Sequence, residues 1–505
     1  MQDPPKTKNL TSRSLDAVLW LISGTGLKIL IQLVQTIILA RLLTPKDFGL
    51  MGAALIVVRF VEQYPIGIAP ALIQLPDLES RHLRTGFTLS VIFGLLIGAL
   101  LWLLAPLFAN FVANEQTVPI LRFIALTFPV RSLGTVAEAL MERELKFRWL
   151  SSIQVFSHVI GYGLVGITLA LLNFGVWSLV LAYTIQMLLR SLLPLLLQPY
   201  PKLLQLEPKT TRELVNLSGG FTLSNLIEYF ALQGDYIIVS RGLGLEALGL
   251  YTKAYHLMNL PAATMGQALN RVLFATLAKV QADKERLIRA YRRNIVVVAL
   301  TILPLSLVMS ILAPEIILVL LGPQWTEVII PFQILALGTF FRFGDKVTSS
   351  LARSSGQMYR MAWFKLIYAI LIAIGAIWGL SYGIPGVTVG VTIALVIQYL
   401  LLTRLAMSLT EIDAKSVIIS HVCALPLTIA TGLSVWVNAT LWRSLGLANI
   451  FVLLLSLSLT GSLVLLLIYI NPNLFLGQDG KWWLKTIAQS LTSSSLWKKF
   501  KGKKR

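Results

Sequence analysis

Residues 38–50 read ILARLLTPKDFGL, and residues 238–250 read IVSRGLGLEALGL. Ile38, Arg41, Leu43, Gly49 and Leu50 return as Ile238, Arg241, Leu243, Gly249 and Leu250 without a gap. Each copy follows about 20 apolar residues and precedes about 20 more, the length that carries a helix across a bilayer. The repeated unit is a membrane hairpin of helix, short basic turn and helix, and the chain is built by duplicating it. Leu104, Ala105 and Pro106 answer to Leu312, Ala313 and Pro314, Arg131 to Arg342, and Arg148 to Arg360, with the offset growing as short loop insertions accumulate. Spans 1–6 therefore pair with spans 7–12. Six is an even number, so both halves enter the membrane from the same side, as parallel repeats about an axis along the membrane normal.

Composition agrees. The residues are 56% hydrophobic and only 13% charged, against about 25% charged in soluble domains. An all-α polytopic membrane protein is expected, with about fourteen transmembrane helices. These divide into a six-helix lobe over 1–200, a second over 201–408, two additional helices over 409–472 and a basic cytoplasmic tail over 473–505. The first apolar run ends at Arg41 and not at a small-residue cleavage site, so no cleaved leader is expected. The net charge of +20 is spread over loops between spans, which argues against a nucleic-acid partner. Cys423 is the single cysteine and has no partner for an internal disulfide. No metal-ligand cluster, phosphate-binding loop or nucleophile elbow stands out, and the outer loops of about ten residues are too short to house a glycan polymerase or ligase. A transporter is expected, not an enzyme.

Loop charge fixes the expected orientation. With the amino end in the cytoplasm, 30 of the 43 basic residues fall in inside segments and four (Arg41, Lys46, Arg241 and Arg443) in outside loops. Such alternation follows the positive-inside rule and places both termini in the cytoplasm. The tail from Gln478, with Trp482, Trp483, Leu484, Ile487, Leu491 and Trp497 among lysines, reads either as an interfacial amphipathic helix or as a disordered basic tail.

Nine basic residues remain within spans: Lys28, Arg59, Arg122, Arg131, Arg190, Lys253, Arg342, Lys346 and Lys365. Five acids join them: Glu62, Glu138, Glu228, Asp235 and Asp345. A charge at a helix centre costs at least ~2.5–3.5 kcal/mol if it faces lipid, so these must face a polar cavity or one another. Arg122, Arg190 and Lys365 sit near span ends, where they can snorkel to the interface. Lys28, Gln32 and Gln35 form one stripe of the first helix, and Arg342, Lys346, Ser349 and Arg353 one stripe of the tenth. Lys28, Arg59, Lys253, Arg342 and Lys346 are the hardest to explain without a water-filled cavity. The excess of cations suits an anion, since Arg offers a planar fork to phosphate and Lys a point charge. Glu228 and Asp235 lie 200 positions from Lys28 and Gln35. They offer either interlobe pairing, with Lys28 against Glu228, or a site for H⁺ or Na⁺ coupling.

The turn Arg41-Leu42-Leu43-Thr44-Pro45-Lys46-Asp47-Phe48-Gly49-Leu50 closing a first span resembles that of the polysaccharide flippases in the multidrug/oligosaccharidyl-lipid/polysaccharide exporter superfamily. So does Leu248-Gly249-Leu250-Tyr251-Thr252-Lys253-Ala254 in the second half. The resemblance implies a MATE-like fold in the bacterial inner membrane and no cofactor. It also implies alternating-access transfer of an undecaprenyl-pyrophosphate-linked oligosaccharide for O-antigen, capsule or exopolysaccharide. The implied partners are that anionic polyprenyl-pyrophosphate glycolipid, the lipid bilayer and other polysaccharide-assembly membrane proteins. Cavity cations are a feature of the family, and the resemblance carries that role to Lys28, Arg59, Lys253 and Arg342. A lipid II flippase or a cation-coupled multidrug exporter of the same superfamily is the alternative. A drug exporter of the cation type calls for a cavity dominated by carboxylates.

Overall fold

The computed structural model describes residues 29–62, 68–112, 114–280, 284–355 and 357–493. Among them every regular element is a helix. In chain order these are α1 (Ile29–Leu42), α2 (Pro45–Glu62), α3 (Ile68–Gln74), α4 (Ser80–Phe111), α5 (Thr117–Ala125), α6 (Thr127–Arg143), α7 (Phe147–Leu171) and α8 (Val176–Leu197). Then follow α9 (208–243), α10 (245–280), α11 (Lys284–Ile311), α12 (Ala313–Leu320), α13 (Ile329–Ser354), α14 (Met358–Gly379) and α15 (Gly383–Thr410). The chain closes with α16 (Ala414–Val422), α17 (Leu425–Ser444), α18 (Asn449–Ile470) and α19 (Pro472–Ser493).

By length and composition, eight of the described helices can cross a membrane, and the pair α5–α6, bent by 40°, makes a ninth. One of the eight, Arg360–Thr410, is itself a hairpin. Gly383 takes φ +67°, a conformation that glycine adopts without strain. The two arms touch backbone to backbone at Gly379 against Gly386 and, further along, at Gly375 against Gly390. Small residues let membrane helices approach closely, where packing replaces the hydrophobic drive that lipid removes. The exterior is apolar, as on a membrane protein: Leu103 is 64% exposed, Leu107 63% and Leu465 70%.

The two copies of the repeated turn reach their shape by different local chemistry. In the first, Thr44 caps α2. The Thr44 backbone N–H and hydroxyl donate to Asp47 Oδ2 at 3.0 and 2.7 Å, and the Asp47 N–H donates back to Thr44 Oγ1 at 3.3 Å. Pro45 occupies the first helical position, where its missing N–H costs nothing. In the second, the counterpart of Thr44 is Gly244, which turns the chain at φ +86°.

The chain separates into two compact units, one of Met1–Lys253 with Ala376–Val387 and one of Ala254–Gly375 with Thr388–Arg505. In the first unit the core under α3 joins Leu72, Phe87, Val136, Leu140 and Leu214. There Arg143, a residue that the loop count assigned to topology, donates to the carbonyls of Leu72 (2.8 Å), Ile73 (3.3 Å), Leu75 (2.5 Å) and Pro76 (2.9 Å). It satisfies the carbonyls that the end of a helix leaves open. In the second unit the main core gathers Tyr291, Ile295, Ala299, Phe340, Phe343, Val347, Tyr399 and Leu427 from α11, α13, α15 and α17. Arg443, near the end of α17, clasps the buried Glu315 of α12 through Nε (2.7 Å) and a terminal nitrogen (2.8 Å), and also reaches the Ile311 carbonyl at 2.9 Å.

Candidate functional site: intramembrane cations in each unit

In the first unit, Arg59 is exposed on the last turn of α2. Its positive charge acts on the hydroxyls of Tyr162 from α7 and Tyr229 from α9. Tyr229 is itself fixed: its hydroxyl donates to the Ile56 carbonyl at 2.8 Å, and its ring meets Phe60 edge-on with centroids 5.4 Å apart. Tyr162 lies in the π-helical stretch Val159–Gly166 of α7, and its ring lies against His158 at 4.9 Å. Such π segments in membrane helices mark positions where a side chain is re-aimed. The same stretch faces Gln35 of α1, which is 6% exposed and touches the bare Cα side of Gly163. Gln35 Oε1 finds no hydrogen-bond partner among the described residues. An orphaned buried amide beside a π segment is a polar spot held in an apolar wall, at an energetic cost.

In the second unit, α13 places Arg342 and Lys346 one turn apart on a single face. Arg342 donates a hydrogen bond to Tyr255 Oη and lies over that ring at 4.8 Å. Lys346 Nζ lies 5.6 Å from the Phe343 ring. Between them in sequence, Asp345 lies within electrostatic reach of Lys365 of α14, of Arg342 and of Lys346, and near the side chain of Gln398 of α15. The fields of three cations thus converge on one carboxylate, and positive charge is in excess around it. The aromatic rings hold Arg342 and Lys346 by their faces.

The remaining predicted residues sort as follows. Lys28 lies outside the described residues, and Glu228 is placed only as a helical position of α9. Lys253 is 8% exposed and sits 3.4 Å above the Phe48 ring, beside the turn of the first repeat. Asp235 is 1% exposed and accepts a hydrogen bond of 2.6 Å from Tyr251 Oη. Lys365 was read from sequence as a snorkelling end-of-span cation, and Asp345 was counted without a role; the fold puts the two within electrostatic reach of each other. Arg190 of α8 pairs with Glu138 of α6 at 2.9 Å. Arg122 lies over Trp102 at 4.8 Å. No periodicity could have found these, since each partner sits on another helix.

Comparison with known proteins supplies the context. A family model described as "polysaccharide biosynthesis protein" matches residues 38–330. The succinoglycan biosynthesis transport protein ExoT of Rhizobium meliloti is 27% identical, over 68% of this chain and 70% of its own length. The lipopolysaccharide biosynthesis protein WzxC of Escherichia coli is 24% identical, over 78% of this chain and 80% of its own. In fold, the chain is similar to the lipid II flippase MurJ in an inward closed conformation, with a TM-score of 0.69 at 15% identity over 88% of this chain and 98% of that one. It is also similar to an inward-facing multidrug-resistance MATE transporter, with a TM-score of 0.61 at 16% identity over 78% and 99%. This helical, multi-pass membrane protein, matched by that model over more than half of its length, belongs to the polysaccharide biosynthesis protein family.

Proposed function

We propose that this protein is a flippase of the bacterial inner membrane that carries an undecaprenyl-pyrophosphate-linked oligosaccharide from the cytoplasmic to the outer leaflet. The observation that carries the reading is the α13 face, where Arg342 and Lys346 lie one turn apart and, with Lys365, outnumber the one carboxylate, Asp345, on which they act. A pyrophosphate is the group that such a surplus attracts, through charge-assisted hydrogen bonds roughly twice as strong as neutral ones. In the first unit, considered by itself, Arg59 is a further exposed cation, near enough to Tyr162 and Tyr229 for its charge to act on them. The reaction needs no covalent step. The cations hold the headgroup, the polyprenyl tail stays in lipid, and the halves of the protein open alternately to either side. An interior-negative potential helps to expel an anion by ~2.3 kcal/mol per charge for each 100 mV crossed. Asp235, poised on Tyr251, and Glu228 are the carboxylates available to bind H⁺ or Na⁺ and reset the cycle.

The test is complementation of a strain that lacks its own polysaccharide flippase. The native chain should restore surface glycan. Arg342→Gln with Lys346→Gln should abolish display and leave lipid-linked repeat units inside, at unchanged abundance in the membrane. Native display from that double variant would refute the cationic site. Rescue only of a strain lacking its lipid II flippase would move the substrate to the cell-wall precursor.

A further inference from the structure

Two hydrogen bonds fix the imidazole of His421 on α16. Its Nδ1 lies 2.7 Å from the Val417 carbonyl one turn back, and its Nε2 lies 2.6 Å from the Tyr399 hydroxyl of α15. A carbonyl only accepts, so Nδ1 carries a hydrogen. In the neutral ring Nε2 is then a bare acceptor, and the Tyr399 O–H donates to it. Phe340 of α13 meets both rings edge to face, His421 at 5.6 Å and Tyr399 at 5.8 Å, and Phe341 meets Tyr399 at 5.7 Å. This aromatic packing holds the two partners together.

Behind Tyr399 lies a second line of hydroxyls whose direction is settled. The Thr348 hydroxyl donates to the Gly344 carbonyl at 3.1 Å, so it accepts from Tyr291 Oη, 3.2 Å away. The Tyr291 hydrogen is thereby committed. Thr403 stands one turn after Tyr399 on α15, near both tyrosine hydroxyls. It is buried, and its Oγ1 has no hydrogen-bond partner among the described residues. A buried hydroxyl left unmet is costly and calls for a reason. A proton on His421 supplies one. With Nε2 protonated, the ring donates on both sides, and Tyr399 Oη must accept and turn its own hydrogen elsewhere. Thr403 Oγ1 is the unused acceptor beside it.

The other titratable groups around this cluster already have partners. Asp345 of α13 acts on the Tyr399 hydroxyl and is itself in the field of Arg342, Lys346 and Lys365. Asp479 of α19 acts on Cys423, two residues after His421, but is held by Arg292 Nε at 3.2 Å and Arg293 Nε at 3.3 Å from α11. His421 is half-buried, and the exposed Asp413 and Lys415 stand at the start of its helix. Lys415 is only ~9 Å from it along the helix axis, a short way in for a proton.

We propose that His421 is a proton-binding site, and that Tyr399 and Thr403 form a hydrogen-bond relay that reverses when the site fills. In the neutral state Tyr399 donates to His421. In the protonated state His421 donates to Tyr399, Tyr399 to Thr403, Thr403 to Tyr291 and Tyr291 to Thr348. One proton is gained at Nε2; Tyr399 keeps its hydrogen and only turns it. The site ties α16 to α11, α13 and α15, and it is separate from Asp235 and Glu228, the carboxylates named above for ion coupling. Its consequence for transport rests on the flippase reading, but the protonation does not.

The test is a titration of the full chain, labelled with nitrogen-15 in histidine, reconstituted in lipid discs and followed by NMR. His421→Gln identifies the His421 signals among those of the four histidines. At about pH 8 the ring should carry hydrogen on Nδ1 alone, and Nε2 should gain it as the pH falls to about 5, the window in which histidine changes charge. Tyr399→Phe should move the Nε2 signal at the upper pH and leave Nδ1 in place. Thr403→Val keeps the shape and the neutral-state bond but removes the acceptor that the reversed Tyr399 needs. It should weaken proton affinity about tenfold, the worth of one hydrogen bond, and Thr403→Ser should restore it. A neutral ring with its hydrogen on Nε2, or no protonation by about pH 5, overturns the site from the native chain alone. Native affinity in Thr403→Val overturns the relay. Neither readout depends on glycan transport.

Discussion

Gly49 and Gly249, equivalent positions of the duplicated turn, pack backbone to backbone. Each glycine faces the carbonyl of the other copy's counterpart residue: Gly49 meets Leu245, and Gly249 meets Pro45. Leu245 is the repeat equivalent of Pro45, so the contact maps onto itself when the copies are exchanged. This is the signature of a local two-fold axis, the isologous arrangement familiar from symmetric dimers but built here within one chain. Gly52 lies near the same axis and touches Thr252, its own counterpart. The sequence repeat is therefore also a spatial one at this point.

A Cβ at either glycine would collide with a carbonyl, which has no rotamer to escape into. Gly49→Ala and Gly249→Ala should each destabilise the purified protein by about 1–3 kcal/mol, despite the usual helical gain from alanine. The double variant should cost less than the two separately, because both disrupt one contact. Gly52→Ala meets only ordinary van der Waals neighbours at 3.5 Å and beyond and should be close to neutral. Thermal unfolding in detergent distinguishes these; an additive double variant would contradict the shared contact.

Arg443→Ala removes the partner of a carboxylate that is 2% exposed at its side chain. Stranding a buried charge costs about 3–5 kcal/mol; Arg443 is 39% exposed, so solvent screening lowers the expected loss to about 2 kcal/mol. Adding Glu315→Gln to Arg443→Ala should recover much of that loss, because the amide needs no counter-charge. A melting temperature equally low in the single and double variants would rule out the stranded charge as the cause.

Arg143 holds four carbonyls at the end of α3. Arg143→Ala should cost about 1–3 kcal/mol, the range for leaving buried acceptors unmet. Lysine keeps the charge but lacks the fork, so Arg143→Lys should restore less than half. Hydrogen exchange should quicken specifically over 68–76. Uniform change across α4 and α6 instead would mean that the cap is not the local fastener described here.

Arg342 and Tyr255 hold each other by a hydrogen bond and by stacking. Arg342→Lys preserves charge but gives up the planar contact, and should reduce glycan export several-fold, while Arg342→Gln should reduce it further. Asp345→Asn removes a carboxylate on which the cluster's three cations act. It should tighten retention of the lipid-linked anion and slow its release, which appears as lower export with more substrate co-purifying. Faster export by Asp345→Asn would invert the electrostatic argument.

The sequence by itself determined the membrane class, the helical period, the repeated hairpin and the polar stripe of α13. All four follow from the order of residues along one helix or from comparing the chain with itself. Thr44 and Asp47 show the same for a turn, since both capping partners lie three residues apart. Only the tertiary structure decided which helices those stripes face. It brought Lys365 to Asp345, Glu138 to Arg190, Glu315 to Arg443 and Asp479 to two arginines of α11, and it set Lys253 on Phe48. The physical reason is that periodicity reports the direction in which a side chain leaves its own helix, whereas its energy inside a membrane depends on the partner across the gap. That partner is chosen by packing, and in this chain it stands from 20 to just over 200 residues away.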